Sequence, residues 1–239
     1  MKKIYKKLLF DLDNTLVDDD ENRKYAIKQI LIDKNEVVSQ NRVDSFVSFD
    51  NQFWKDRAAG KIKDPYTFKN NEEKTKWIRA ERFIRFFDNV SFEEAVDINN
   101  KYISLLNEHI VPINNSEDIL KYLYDKGYEI YIVTNGPIKA ISYKLGKING
   151  LDYIKSIFSA EEAGYMKPST EFFNRFFQKI GTTNKNDMMI IGDELEKDVL
   201  GGINNGIDSC WVNIKNETNN SGIIPNYEIN KLLDLKNIL

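Results

Sequence analysis

Cysteine and histidine are almost missing from this chain: Cys210 and His109 are the only ones among 239 residues. A single thiol excludes an internal disulfide and suits a reducing compartment, so a cytoplasmic protein is expected. No apolar run approaches the roughly 18 residues that a bilayer-spanning helix needs. The first residues, Met1-Lys2-Lys3-Ile4-Tyr5-Lys6-Lys7, have the charged start of a signal peptide. The apolar Leu8-Leu9-Phe10 that follows is cut off at once by Asp11, which argues against export. Neither sign of charge dominates. A formal net charge of −3 gives no electrostatic reason to expect nucleic acid or an anionic membrane as partner. Internal repeats and long low-complexity segments are also missing, and only 216–222 reads as an extended loop.

What is present is ordinary for a globular protein: 41% hydrophobic, 30% charged and 12% aromatic residues, in a length that can bury a full core. Residues 7–13 read as a short buried strand ending in acids. From there to about residue 108 the periodicity is helical. Ala26, Ile27, Ile30 and Leu31 share one face, and Phe46, Phe49, Phe53 and Trp54 another. Trp77, Glu81, Ile84 and Phe87 mark a third face, and Ala95, Ile98, Tyr102 and Leu105 a fourth. Gly60 and Asp64-Pro65 separate the second helix from the third. From Pro112 onward, strands and helices alternate. A helix over 117–126 with Ser116 as its N-cap is followed by strands near 129–133, 156–159, 188–191 and 209–212, with a last one near 227–229. Helices fall between them, over 169–180 and 196–204, with another over 231–238. Alternation of this kind implies a parallel sheet with helices on both faces, and ligands bind such sheets at the carboxyl ends of the strands.

Four polar clusters follow those strands: Asp11-Leu12-Asp13-Asn14-Thr15, Thr134-Asn135-Gly136, Lys167-Pro168, and Asp193 with Asp198. A parallel sheet carries all four to one edge. Carboxylates packed together raise one another's pKa unless a cation intervenes. Mg²⁺ prefers such hard oxygen ligands beside a substrate phosphate. Lys167 and the Thr134 hydroxyl suit phosphate oxygens, with free backbone N–H groups of the loops adding to them. The residues themselves therefore point to phosphoryl chemistry.

In order and spacing these clusters resemble the four motifs of the haloacid dehalogenase (HAD) superfamily. Asp11-Leu12-Asp13-Asn14-Thr15-Leu16 resembles the DxDxT motif, Thr134 the second, Lys167-Pro168 the third, and Gly192-Asp193 with Asp198 the fourth. The resemblance implies an α/β fold: a doubly wound, Rossmann-like core over 1–16 and 106–239, with a helical-bundle cap inserted over 17–105. It implies that Asp11 attacks phosphorus to form an aspartyl-phosphate. Asp13 then protonates the leaving oxygen and later deprotonates water. Asp11, Asp193 and the backbone carbonyl of Asp13 would hold Mg²⁺, and Lys167 would neutralise the transferring phosphoryl group. Thr134, with amides near Asn14 and Asn135, would cradle the phosphate. Asp198 would support Lys167 or a metal-bound water, and Glu194 stands where related enzymes often carry a small polar residue. A carboxylate at Asp13 separates the chain from the dehalogenases, which have no leaving oxygen to protonate.

The segment Gly192-Asp193-Glu194-Leu195-Glu196-Lys197-Asp198-Val199-Leu200-Gly201-Gly202, continuing to Gly206 and then Cys210-Trp211-Val212-Asn213, is similar to the bacterial pyrimidine 5′-nucleotidases of this superfamily. Ile223-Ile224-Pro225 and Phe53-Trp54-Lys55-Asp56 agree with it. The resemblance implies a nucleoside monophosphate as substrate and a monomer or homodimer. A sugar phosphate, phosphoglycolate or acyl-sugar phosphate remains the alternative, and a non-catalytic phosphate-binding module a remoter one. Residues 53–85 hold ten Lys/Arg against five Asp/Glu. Lys55, Arg57 and Lys61 could steer an anion or simply solvate a helix face. Trp54 and Trp77 read as bundle core rather than base-stacking platforms. His109 reads as structural or exposed, and Cys210 as an inert buried thiol.

Overall fold

In the computed structural model, which describes residues 3–182 and 184–239, the chain forms two compact units. One comprises the chain up to Asp19 together with Ile110–Leu239, and the other Asp20–His109.

The first unit is built on β1 (Lys7–Phe10), β2 (Glu129–Thr134), β3 (Ser156–Ser159), β4 (Met188–Gly192), β5 (Asp208–Val212) and β6 (Tyr227–Ile229). They form one sheet in the order β3-β2-β1-β4-β5-β6, with every pair parallel. This is the doubly wound parallel sheet that the alternating pattern implies. Side chains alternate across it. Leu8, Phe10, Ile130, Ile132, Met189 and Ile191 pack on one face with Ile119, Leu120 and Leu123 of α5 (Ser116–Asp125) and Ile141 and Leu145 of α6 (Ile138–Lys147). Leu9, Tyr131, Val133, Met188 and Ile190 face the other side. There they meet Phe172, Phe173, Phe176 and Phe177 of α8 (Thr170–Lys179), which follows the single turn α7 (Ala160–Ala163). Each buried Phe contributes roughly 1.5–3 kcal/mol over an exposed one, so this aromatic seam is a main hold on its face of the sheet.

Three local expectations are corrected. Ser116 is not the N-cap of α5: Asn115 takes that place with φ 67°, and the Ser116 hydroxyl donates instead to the carbonyls of Leu16 and Ile113. The helix expected over 196–204 is a wide π turn, Leu195–Val199, running into α9 (Leu200–Asn205). The terminal helix is likewise reduced to a 3₁₀ turn and the single turn α10 (Leu235–Ile238).

The second unit consists of α1 (Asp19–Asp33, whose first residue belongs to the first unit), α2 (Gln40–Ala58), α3 (Asn71–Phe86) and α4 (Phe92–Glu108). Ala26, Ile27, Ile30, Leu31, Phe46, Ala95, Ile98, Tyr102 and Leu105 form its core, as their spacing predicts. On α3 the buried apolar side chains are Ala80 and Phe83, with Phe87 just past its end, not Trp77 and Ile84. The reason is electrostatic. Glu81 is drawn in by Arg57 and Arg85, and Arg82 by Asp50 and Asn99. Trp54 is 40% exposed, although its indole N–H donates to the buried Asp50. Trp77 stacks on Phe92, and His109 on Tyr25. Arg57, a candidate for steering anions, is held between Glu81 and Asp64. Among the described residues no helix is long and apolar enough to cross a membrane.

Candidate active site

The clusters beginning at Asp11, Thr134 and Asp193 stand at the carboxyl ends of β1, β2 and β4, and Lys167, which comes after α7, reaches the same edge with its ammonium. Asp11 directly follows β1 and continues its ladder, its N–H donating to the Ile191 carbonyl of β4. Its side chain is 11% exposed, and its carboxylate accepts a hydrogen bond of 2.6 Å from Lys167 Nζ. The same ammonium donates to Asp198 Oδ1 at 2.6 Å and to the Val133 carbonyl at 2.8 Å. Three acceptors thus saturate the three protons of a lysine that is only 4% exposed. Burial works against its charge, yet Asp11 and Asp198 outweigh that and hold its pKa above the ordinary lysine value.

Burial pushes the Asp11 carboxyl up to about 7, with Asp198 and Asp13 adding to the effect and Lys167 opposing it. Asp193 is likewise raised well above the usual carboxylate range, by burial first and then by the charges of Asp11, Asp198 and Glu194. Carboxylate oxygens of Asp11, Asp193 and Asp198 all lie within 4.8 Å of one another. One lysine cannot neutralise three such groups. Crowded hard oxygens of this kind fit a divalent cation.

Asp193 is fixed by two groups to which the sequence alone assigns no role. Thr15, fully buried, accepts from the Asp193 N–H at 3.0 Å and turns its hydroxyl toward Asp193 Oδ1. Trp211 of β5 donates its indole N–H to the Asp193 carbonyl at 2.8 Å. Asp198 is brought back by the π turn, where its second oxygen accepts from the Glu194 N–H. The Glu194 side chain pairs outward with Lys197. Gly192 makes room for this return, since a Cβ there would sit 2.2 Å from Asp198 Oδ2. Gly192→Ala is therefore expected to displace Asp198 from Lys167. Melting should show a loss of about 1–3 kcal/mol, the usual cost of overpacking, together with reduced turnover.

On the other side of Asp11, the Thr134 hydroxyl accepts from the Gly136 N–H at 3.1 Å, forming a tight polar turn beyond β2. Asn14 adopts a left-handed conformation, φ 58°, in the loop after β1. The Asn135 side chain is committed to the backbone of Lys167: Nδ2 donates to its carbonyl and Oδ1 accepts from its N–H. What Asn135 offers a ligand is its backbone amide. Asp13 stands apart from the acidic trio. Its side chain is 36% exposed and its Oδ1 pairs with Lys144 of α6, a contact that sequence reasoning also missed. Cys210 is buried in β5, and burial pushes its thiol up to about 12.

The geometry has a counterpart among known proteins. A family model for haloacid dehalogenase-like hydrolases matches residues 8–212, from β1 to the end of β5. The chain belongs to this family. Among the hydrolases similar to it over nearly their whole length are the HAD-hydrolase YfnB of Bacillus subtilis, 30% identical over 99% of this chain and 96% of its own. The pyrimidine 5′-nucleotidase PynA of Streptococcus pneumoniae is 30% identical over 98% of this chain and 97% of its own. The pyrimidine 5′-nucleotidase YjjG of Escherichia coli is 23% identical over 97% of this chain and 96% of its own. A crystal structure of YfnB bound to magnesium superposes on this haloacid dehalogenase-like chain with a TM-score of 0.84 at 28% identity, covering 99% of each.

Proposed function

We propose that this hydrolase is a magnesium-dependent phosphomonoesterase working through an aspartyl-phosphate on Asp11, and that its substrates are pyrimidine nucleoside 5′-monophosphates. The observation that carries the chemistry is the unlike setting of two carboxylates in one short segment. Asp11 is buried against Lys167, whereas Asp13 is half-exposed against Lys144. Two acids whose surroundings differ this much can divide the roles of nucleophile and proton carrier.

On this reading the Asp11 carboxylate attacks phosphorus while Asp13 gives its proton to the leaving oxygen, which departs as an alcohol. Water then attacks the aspartyl-phosphate, passes a proton to Asp13, and releases Asp11 and inorganic phosphate. Lys167 neutralises charge on the transferring group, and Asp198 holds Lys167 in place. The Thr134 hydroxyl and the amides near Asn14 and Asn135 bind the phosphate oxygens. Asp11, Asp193 and the backbone carbonyl of Asp13 would hold Mg²⁺, which would supply positive charge for the transferring phosphoryl group. The crowding of Asp11, Asp193 and Asp198 supports a resident cation, and the magnesium-bound YfnB structure agrees with it. The helical unit Asp20–His109 would serve as a substrate-selecting cap. The nucleotidase assignment is supported by PynA and YjjG, both similar along nearly the whole chain.

Phosphate release from a panel of nucleoside monophosphates, sugar phosphates and phosphoglycolate tests the substrate. Pyrimidine monophosphates should exceed the sugar phosphates in kcat/KM by about tenfold or more. A preference for sugar phosphates would overturn the nucleotidase assignment and leave the chemistry standing. Excess EDTA should silence every substrate and added Mg²⁺ restore it, while continued hydrolysis in EDTA would refute the metal.

A further inference from the structure

Lys144 occupies the last turn of α6 with only 8% of its surface exposed. Its Nζ lies 2.5 Å from Asp13 Oδ1 and 2.7 Å from Asp19 Oδ1. Lysine is seldom buried this far unless its charge is paired. A plain ion pair fastening α6 to the segment after β1 would account for the burial. It would not account for the partner, since Asp13 is the acid two residues beyond Asp11, in the same loop.

The two oxygens of Asp13 are differentiated. Oδ1 is taken by Lys144, whereas Oδ2 lies on the side of the phosphate turn. A Cβ built on Gly136 would come 3.7 Å from Asp13 Oδ2 and 3.5 Å from Thr134 Oγ1. Gly136 therefore sits against both the proton-carrying oxygen and the hydroxyl proposed to touch phosphate. Asp19 draws the ammonium from its other side, so the contact is fixed at both ends.

We propose that Lys144 is a positioning residue for Asp13, anchored by Asp19, that turns Oδ2 toward the leaving oxygen and stabilises the charge Asp13 acquires as it gives up its proton. The inference rests on the reading of Asp13 as proton donor. In the first displacement the bond from Asp11 oxygen to phosphorus forms as the phosphorus–leaving-oxygen bond breaks. The Asp13 proton passes to that oxygen, leaving a carboxylate with Lys144 already against Oδ1. A cation fixed in advance where negative charge will appear needs no reorganisation during the step.

The dependence on leaving group tests this. An alkoxide needs its proton during bond breaking, whereas 4-nitrophenolate departs without one. Lys144→Met keeps the bulk and removes the charge. It should lower kcat/KM for the best alkyl phosphate of the substrate panel by on the order of 10²-fold, and for 4-nitrophenyl phosphate by less than about threefold. Lys144→Arg should recover most of the loss on the alkyl ester. Asp19→Asn, a milder change that covers the case in which Lys144→Met does not fold, should discriminate in the same direction by about three- to tenfold. Equal losses on the two esters in both Lys144→Met and Asp19→Asn would overturn the proposal. Asp13→Asn separates its failure from that of the underlying reading. If Asp13→Asn discriminates between the esters and Lys144→Met does not, Asp13 remains the proton donor and only the role of Lys144 falls. If Asp13→Asn does not discriminate, both fall.

Discussion

Replacing Asp11 with Asn is expected to cut turnover by on the order of 10³-fold or more while leaving the protein folded. The amide keeps the volume of the carboxylate, and its oxygen still accepts the hydrogen bond from Lys167. It cannot attack phosphorus. A variant that kept more than about a tenth of the wild-type rate would remove Asp11 as nucleophile.

Stability should move the other way. Burial and neighbouring acids raise the Asp11 carboxyl to about 7 in the folded protein, against about 3.9 in an unfolded chain. Folding therefore tightens its hold on a proton. The stability tied to that proton is fully present below about pH 4 and is lost as the pH rises through about 7. Asp193 is shifted in the same direction and adds to the slope. In EDTA the wild-type melting temperature should fall between mildly acidic and neutral pH. Asp11→Asn should fall less steeply and, at neutral pH, melt no lower than wild type. An equally steep slope in the variant would mean that Asp11 carries none of the strain assigned to it. An inactive protein that is no less stable is the expected mark of a site whose charges are arranged for chemistry rather than for folding.

Much of this site can be read from the chain because its parts are local. Each strand is a short apolar run ending in a polar residue, so the parallel sheet and the gathering of Asp11, Thr134 and Asp193 at one edge follow from pattern alone. The helical faces that were read correctly, such as Ala26-Ile27-Ile30-Leu31, are purely apolar. Where the reading failed, the deciding contact lies far off in sequence. Arg82 is buried because Asp50, 32 positions away, holds it. Lys144 illustrates the limit best, since nothing in 138–147 marks it. It reaches Asp13, 131 positions earlier, only because the topology sets α6 beside the end of β1. Thr15 was within reach, because a polar residue in an apolar setting four positions after Asp11 already asked for a buried partner.

Lys167→Met should damage stability and activity together, unlike Asp11→Asn. The ammonium is the shared donor of Asp11, Asp198 and the Val133 carbonyl, and it is almost fully enclosed. Methionine fills the space but leaves two buried carboxylates uncompensated, with the Asp193 carboxylate close by. Removing one partner from a buried charge cluster costs about 3–5 kcal/mol, far more than the pair itself is worth. The deficit at neutral pH in EDTA should be of that size and should shrink on acidification, because protonating the carboxylates removes the repulsion. Added Mg²⁺ should return part of the stability by shielding the same acids. Turnover should stay down by on the order of 10²- to 10³-fold, because the charge proposed to neutralise the transferring phosphoryl group is gone. Lys197 is the control. Its pair with Glu194 is 42% and 40% exposed, so Lys197→Met should change stability by less than about 0.5 kcal/mol. Equal effects at Lys167 and Lys197 would mean that the buried lysine is only one more ion pair, and the acids around it would need another source of neutralisation.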